Sequence, residues 1–289
     1  MLREAHIKYL LIIPVIICLA LISIIPFIDL IRLSFYDVTI LNYYNPPFCG
    51  IKNYIKILSD FFTHRALTVT LIYMSGVIIV EFLIGFGLAL LLNRVTKGKS
   101  IIIILLLLPS LISPAVVGYM FRLMLNDLYG VITLFLKALL KNTEFSLLGS
   151  RDLALPVVMA IDVWEWTPFV FLILYAGLQA LPRAPFEAAV VDGASGWQIL
   201  RHITIPLLKP TIAVALVLRS MEAFKTFDII WILTKGGPGI ATETLSIYIY
   251  RLYFMRGDFG SAIALSVLVL MIVTVISKAY IKYLYRLGV

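Results

Sequence analysis

Apolar runs long enough to cross a bilayer recur along the chain, and short polar segments divide them. Tyr9–Ile28 holds twenty residues without a charge behind Arg3 and Lys8, and it defines a first span over about 9–31. It is too long for a cleaved leader and carries no small-x-small site. Further spans follow at about 66–93, 100–125, 153–181, 211–234 and 259–277, so six crossings are expected. Span two contains Glu81, and span three is interrupted by Pro109 and Pro114. The pattern predicts loops over 36–65, 126–152 and 235–258, with an amphipathic helix over 134–140. The expected architecture is all-α and polytopic, one membrane domain over 1–289.

Six spans put both termini on one side. The segments then sharing that side (1–8, 94–100, 182–209, 278–289) hold 11 Lys and Arg in 55 residues, and the opposite segments (37–65, 126–153, 234–258) hold 9 in 82. The denser side is expected to be cytoplasmic.

One polar segment departs from simple loop character. In EAAVVDGASGWQILRHITIPLLKP, from Glu187 to Pro210, Ala184–Val191 reads as a short helix. Asp192-Gly193 ends it, because glycine takes the left-handed conformation that closes many helices. Ser195 and Gln198 have capping-box spacing and start a second helix, with Trp197, Leu200 and Ile203 on one face. Pro206 and Pro210 are expected to stop it. A helix–turn–helix of this size between two spans reads as a docking element. An amphipathic connector on the membrane surface is the plainer reading. A DNA-reading helix pair is disfavoured, since the whole loop over 182–210 carries three Lys and Arg (Arg183, Arg201 and Lys209) against two acids and is tethered to the bilayer.

Span five carries the densest intramembrane charge. Arg219, Glu222, Lys225 and Asp228 recur every three residues, which on one helix makes a slowly wrapping stripe of alternating sign. Arg219 lies nine residues beyond Pro210, roughly 13 Å up the helix and near the middle of a ~30 Å apolar core. Charges at that depth must face partners or a wet cavity. Span four adds Asp162, Glu165 and the neighbouring Trp164 and Trp166. These groups form either a salt ladder that packs spans four and five or a translocation cavity. The cavity reading uses the polar groups for ligand hydroxyls and Phe224, Phe227, Trp164, Trp166 and Trp231 for ligand C–H faces.

Composition narrows the class. Of 289 residues 62% are hydrophobic and 14% charged, too oily for a soluble chain of this length. The net charge of +8 suits loops on an anionic leaflet and not nucleic acid, because no basic cluster is long enough. Cys18 and Cys49 lack metal spacing, and a disulfide between them is not expected. His6, His64 and His202 are scattered. No G-x-x-x-x-G-K-[ST] occurs, so the chain has no phosphate-cradling loop of its own.

The EAA segment, with three residues to Gly193 and an I-x-I-P ending, resembles the EAA loop of permease subunits in binding-protein-dependent ABC importers. R-x-x-x-A-F-x-x-F-D at Arg219–Asp228, L-T-x-G-G-P at Leu233–Pro238 and the following T-x-x-L-x-x-Y-x-Y are similar to the MalF-like, carbohydrate-type branch. The chain departs from that branch at Leu200, where an aromatic residue is common, and at Thr133, where asparagine is common. It also lacks the extra spans and outer domain of the maltose-type members. The resemblance implies a type I importer permease fold with six spans and cytoplasmic termini, in the cytoplasmic membrane of a bacterium or archaeon. It implies a non-catalytic subunit forming half of a pore for a sugar or polyol. Glu187, Ala188, Ala189, Asp192, Gly193 and Trp197 would couple to an ATPase. Arg219, Glu222, Phe224, Asp228, Glu165 and Trp166 would lie at the substrate cavity, and Gly236, Gly237 and Pro238 near a solute-binding protein. The implied partners are a second, MalG-like permease, two ATP-binding subunits that hold ATP and Mg, and an extracellular or periplasmic binding protein. Membrane lipid surrounds the chain, and no nucleic acid or metal is implied. The alternative reading is a proton- or ion-coupled secondary transporter that uses the charged stripe. No inverted repeat supports it, and it leaves the EAA segment unexplained.

Overall fold

The computed structural model describes the backbone of residues 2–286 and the side chains of 12–280 and 282. The chain is helical: α1 (Leu2–Leu33), α2 (Lys52–Ser59), α3 (Phe61–Arg94), α4 (Lys99–Leu107), α5 (Pro114–Met124), α6 (Val131–Leu140), α7 (Ala154–Gln179), α8 (Ala184–Val191), α9 (Gly196–Ile199), α10 (Ile205–Phe224), α11 (Asp228–Thr234), α12 (Leu245–Tyr250) and α13 (Phe259–Arg286). Among the described residues no extended strand forms, and two isolated bridges are the nearest approach to one. Among the described residues five helical segments are long and apolar enough to cross a membrane: Ile12–Leu33, Phe61–Arg94, Ala154–Gln179, Gly196–Phe224 and Phe259–Tyr280.

The third expected span is not one helix. It is α4, a 3-10 turn at Pro109–Leu111, and α5. Pro109 and Pro114 each lack a donor. Leu108 stays helical before Pro109 (φ −51°, ψ −45°), whereas Ser113 before Pro114 is extended (φ −63°, ψ 136°), the conformation a following proline favours.

The fifth departs in two ways. Pro206 and Pro210 do not stop the helix, which runs from Gly196 to Phe224. A π-helical turn at Leu200–Thr204 leads straight into α10, with Pro206 as its second residue. The widened turn relieves the clash a proline ring makes with the carbonyl four residues back. The helix then ends before the last two charges. Thr226 Oγ1 donates to the Glu222 carbonyl at 3.1 Å, the final turn tightens through Lys225 and Thr226, and α11 starts afresh at Asp228. The stripe is therefore broken between Lys225 and Asp228.

Contacts divide the chain into two compact units. The larger, Arg65–Tyr248 with the end of the chain, is built on α3, α5, α7, α10 and α11. One apolar layer joins Tyr73, Val77, Val117, Val158, Ile161, Ala223 and Ile230. A second joins Ala89, Leu92, Phe171, Leu174, Leu208 and Ala215. Lipid tails are as oily as these side chains, so close fit holds the helices together in place of water exclusion. Gly85 shows how close: a Cβ there would lie 3.0 Å from the Phe171 backbone nitrogen.

The smaller unit takes in the chain up to His64 and Ile249–Ile272. The loop after α1 is pinned by Asn53, whose side-chain amide donates to the Ser34 and Tyr36 carbonyls at 3.0 and 2.9 Å. The Gly260 N–H donates to the Val38 carbonyl at 2.9 Å, and Lys56 pairs with Asp258 at 2.6 Å. Burial alone would raise the Asp258 carboxyl, but hydrogen bonds from Lys56 and Ser261 hold it below the usual carboxylate range. A lowered native value contributes order that is complete above the ordinary carboxylate value and is lost as the pH falls through the native one. Amide exchange over 34–60 should accordingly stay slow from neutral pH down to the ordinary carboxylate range, then quicken below it. In Asp258→Asn this acid-dependent step should be absent.

Candidate functional site

Between the two apolar layers lies an ionic cluster. Glu81 on α3, Asp162 on α7 and Arg219 on α10 are each at most 1% exposed. Arg219 Nε donates to Glu81 Oε2 at 2.7 Å, and Nη2 to Glu81 Oε1 at 2.9 Å. Nη2 also donates to Asp162 Oδ2. The fork matches the carboxylate in the planar geometry that guanidinium favours. Its other face stacks on Trp166, with Cζ 5.1 Å from the ring centroid.

The cluster backs onto a cavity of about 160 Å³ lined by residues that include Asp162, Glu165, Trp166, Arg219, Glu222, Lys225, Phe227 and Asp228. The helix break supplies three of these, because Lys225, Phe227 and Asp228 flank or occupy the non-helical turn. Glu222 and Lys225 form an ion pair at 2.9 Å with half-exposed side chains, a type of pair that adds little to stability. Phe227 stacks on Trp231 with rings 14° from parallel and 5.8 Å apart. Glu165 is 2% exposed, and its Oε2 is buried without a hydrogen-bond partner.

Arg219, Glu222, Asp228, Glu165, Trp166 and Phe227 of the expected residues line the space. Phe224 is 2% exposed and packs in the interior, Trp164 packs edge-on against Phe121, and Trp231 stands behind Phe227. Glu81 is visible in the sequence as an acid in span two, with nothing local that pairs it with Arg219. A lone acid in a long apolar span and a guanidinium at mid-depth on another helix were the available signal.

A second site is the expected docking element. The α8 helix closes with a full Schellman motif: Ala194 N–H reaches the Ala189 carbonyl at 2.9 Å and Gly193 N–H the Val190 carbonyl at 3.1 Å. Gly193 adopts φ +77°. The capping box then starts α9, with Ser195 N–H donating to Gln198 Oε1 at 2.7 Å and Gln198 N–H to Ser195 Oγ at 3.4 Å. Glu187, Ala188, Asp192, Gly193 and Trp197 are exposed and Ala189 is buried. Trp197 is 67% exposed and Val191 87%, an apolar surface presented on a short rigid frame.

Gly236, Gly237 and Pro238 form a tight turn after α11, with Gly236 at φ +89° and a cis Gly237-Pro238 bond. Thr242 Oγ1 donates to the Gly237 carbonyl at 2.8 Å and lies 2.6 Å from the Thr234 hydroxyl. Among the described residues no cluster of His, Cys, Asp and Glu has the arrangement of a metal site.

Residues 82–286 match the family described as binding-protein-dependent transport system inner membrane component. The trehalose/maltose transport system permease protein MalF of Thermococcus litoralis is 36% identical over 283 residues, covering 97% of this chain and 94% of that protein. The trehalose transport system permease protein SugA of Mycobacterium tuberculosis is 35% identical over 235 residues, 81% of this chain and 74% of that one. The sn-glycerol-3-phosphate transport system permease protein UgpA of Agrobacterium fabrum is 34% identical over 244 residues, 83% and 81% of the two chains. In fold, the chain is similar to a bacterial ABC transporter involved in the import of the acidic polysaccharide alginate, with a TM-score of 0.85 at 24% identity over 98% of this chain and 96% of that one. A membrane-crossing helical chain matched over most of its length in these ways belongs to the binding-protein-dependent transport system inner membrane components, the non-catalytic permease subunits of ABC importers.

Proposed function

We propose that the chain forms half of the translocation pore for a sugar or related polyol, in an importer driven by a separate ATPase. The observation that carries this reading is the polar cavity at the α10–α11 break, at a depth where charged groups are tolerated only beside partners or water. Its carboxylates accept hydroxyl hydrogen bonds, and Trp166 and Phe227 face the C–H surface of a ring. The trehalose and maltose named for the relatives MalF and SugA support that substrate class.

A second, pseudo-twofold permease of the MalG type closes the other half of the pore. Two ATP-binding subunits, which hold ATP and Mg, receive the exposed α8–α9 element on the cytoplasmic side. Glu187, Asp192, Gly193 and Trp197 make that contact, with Ala188 and Ala189 packing the helix. Closure of the ATPases around ATP is relayed through this element, and the π-helical turn joins it directly to α10, one wall of the cavity. An extracellular or periplasmic binding protein delivers the sugar near Gly236–Pro238. Both termini lie in the cytoplasm.

Proteoliposomes holding this chain, its second permease, the ATPase subunits and the binding protein test the reading. Uptake of labelled trehalose should require ATP in the ATPase compartment and survive a protonophore. Uptake that collapses with the proton gradient and ignores ATP would point to the secondary carrier instead. In the same system Glu222→Ala should cut uptake severalfold while assembly is retained, because its half-exposed pair with Lys225 holds little structure. Equal loss of uptake and assembly would return Glu222 to a packing role.

A further inference from the structure

The cavity at the α10–α11 break is one-sided in charge, and this bears on what can enter it. Four carboxylates line it, Asp162, Glu165, Glu222 and Asp228, against two cations, Arg219 and Lys225. Both cations are already committed. Arg219 is clamped by Glu81 and Asp162, and Lys225 is paired with Glu222. Glu165 and Asp228 remain, and among the described residues neither lies within ion-pair distance of a cation. Asp228 is exposed to the open side. Glu165 is 2% exposed, with its Oε2 buried and unpartnered. A buried acceptor without a donor carries a desolvation penalty that a ligand O–H can relieve. Such a site strongly rejects a ligand that lacks the donor.

We propose that this cavity filters cargo by charge: Glu165 accepts a hydroxyl hydrogen bond from an uncharged polyol, while Glu165 and Asp228 together exclude ligands bearing a phosphate, sulfonate or carboxylate. Selection of this kind needs a repulsive element as well as an attractive one. Asp228, exposed at the open side of the cavity, supplies it by like-charge repulsion of an arriving anion. Trp166 beside Glu165 gives the apolar face of a sugar ring a surface to lie on, so the attractive side favours a hydroxylated ring over a small amine. The inference rests on the sugar-pore reading above and names the class of sugar within it.

The test bypasses the binding protein, which makes its own selection. The complex of both permeases with the ATPase subunits is purified, and binding of labelled trehalose and labelled trehalose 6-phosphate is measured by scintillation proximity. Trehalose should bind at least tenfold more tightly than its phosphate ester. Glu165→Gln should weaken trehalose about tenfold, and Glu165→Gln with Asp228→Asn should narrow the preference to within about threefold. Glu165→Asp, which keeps the carboxylate where Glu165→Gln leaves only the weaker amide oxygen as acceptor, should stay closer to the parent than Glu165→Gln does. Equal or tighter binding of the ester by the parent complex overturns the proposal, as does a Glu165→Gln complex that binds both sugars like the parent. Binding of neither sugar overturns it as well. Trehalose uptake by the complete transporter, run in parallel, then separates the cases: if uptake persists, only the charge filter falls, and if it is absent, the sugar-pore reading falls with it.

Discussion

In an Arg219→Met chain, stability in mixed micelles is expected to drop by about 3–5 kcal/mol, because Glu81 and Asp162 would remain buried with no counter-charge. Removing one partner of a buried network leaves the full desolvation cost of the others, which exceeds the net value of the intact pair. The informative comparison is the triple variant Glu81→Leu, Asp162→Leu, Arg219→Met. Well-packed apolar replacements of a buried ionic group are often neutral or stabilising, so the triple variant should recover most of the loss. Denaturant-titrated unfolding with sugar uptake in parallel reads both quantities. A single variant that loses less than about 1 kcal/mol would mean that water enters the cluster and solvates the carboxylates. A stable triple variant that no longer transports would assign the charges to the pathway, and one that transports normally would assign them to bracing.

For Gly193→Val, uptake should fall by at least tenfold while the purified complex keeps its subunit composition. Gly193 sits at φ +77°, and a Cβ added there meets nothing within 4 Å, so the damage is confined to the backbone. An L-residue in the left-handed region costs about 1–2 kcal/mol, and a β-branched one is worse placed. The cheapest relief is to undo the Schellman turn and let α8 and α9 change their mutual angle. A docking frame cannot absorb that change. Asn tolerates this conformation, so Gly193→Asn should retain most of the uptake. Parent-level uptake in Gly193→Val would remove the α8–α9 geometry from the coupling route.

These two sites were legible in the sequence to different degrees. The turn at Gly193 and the capping box at Ser195 and Gln198 are local: short-range hydrogen bonds decide them, and the structure forms both. The ionic cluster is not local. Residues 138 positions apart meet in it, and periodicity along one helix sets Arg219 in a stripe with Glu222 but carries no sign of Glu81 on another. The break after Phe224 was missed for a related reason. No proline or glycine marks Lys225–Phe227, and the Thr226 hydroxyl bonded to the Glu222 carbonyl is a weak signal in sequence. Prolines misled in both directions. Pro109 and Pro114 break span three more completely than an interruption suggests, and Pro206 and Pro210 do not end the helix they sit in, because a π-helical turn just ahead of the first of them relieves its ring clash.

That π-helical turn also fixes an angular phase. Each residue advances an α-helix by about 100°, and the turn at Leu200–Thr204 holds one residue more than an α-helical turn would. The compass bearing of Trp197 relative to Arg219 is therefore set by chain length and not by side-chain chemistry. Loss of a single residue here could leave every contact of α10 intact and swing the docking surface through more than a quarter of a circle. Substitutions in this segment are thus tolerable in a way that insertions and deletions are not.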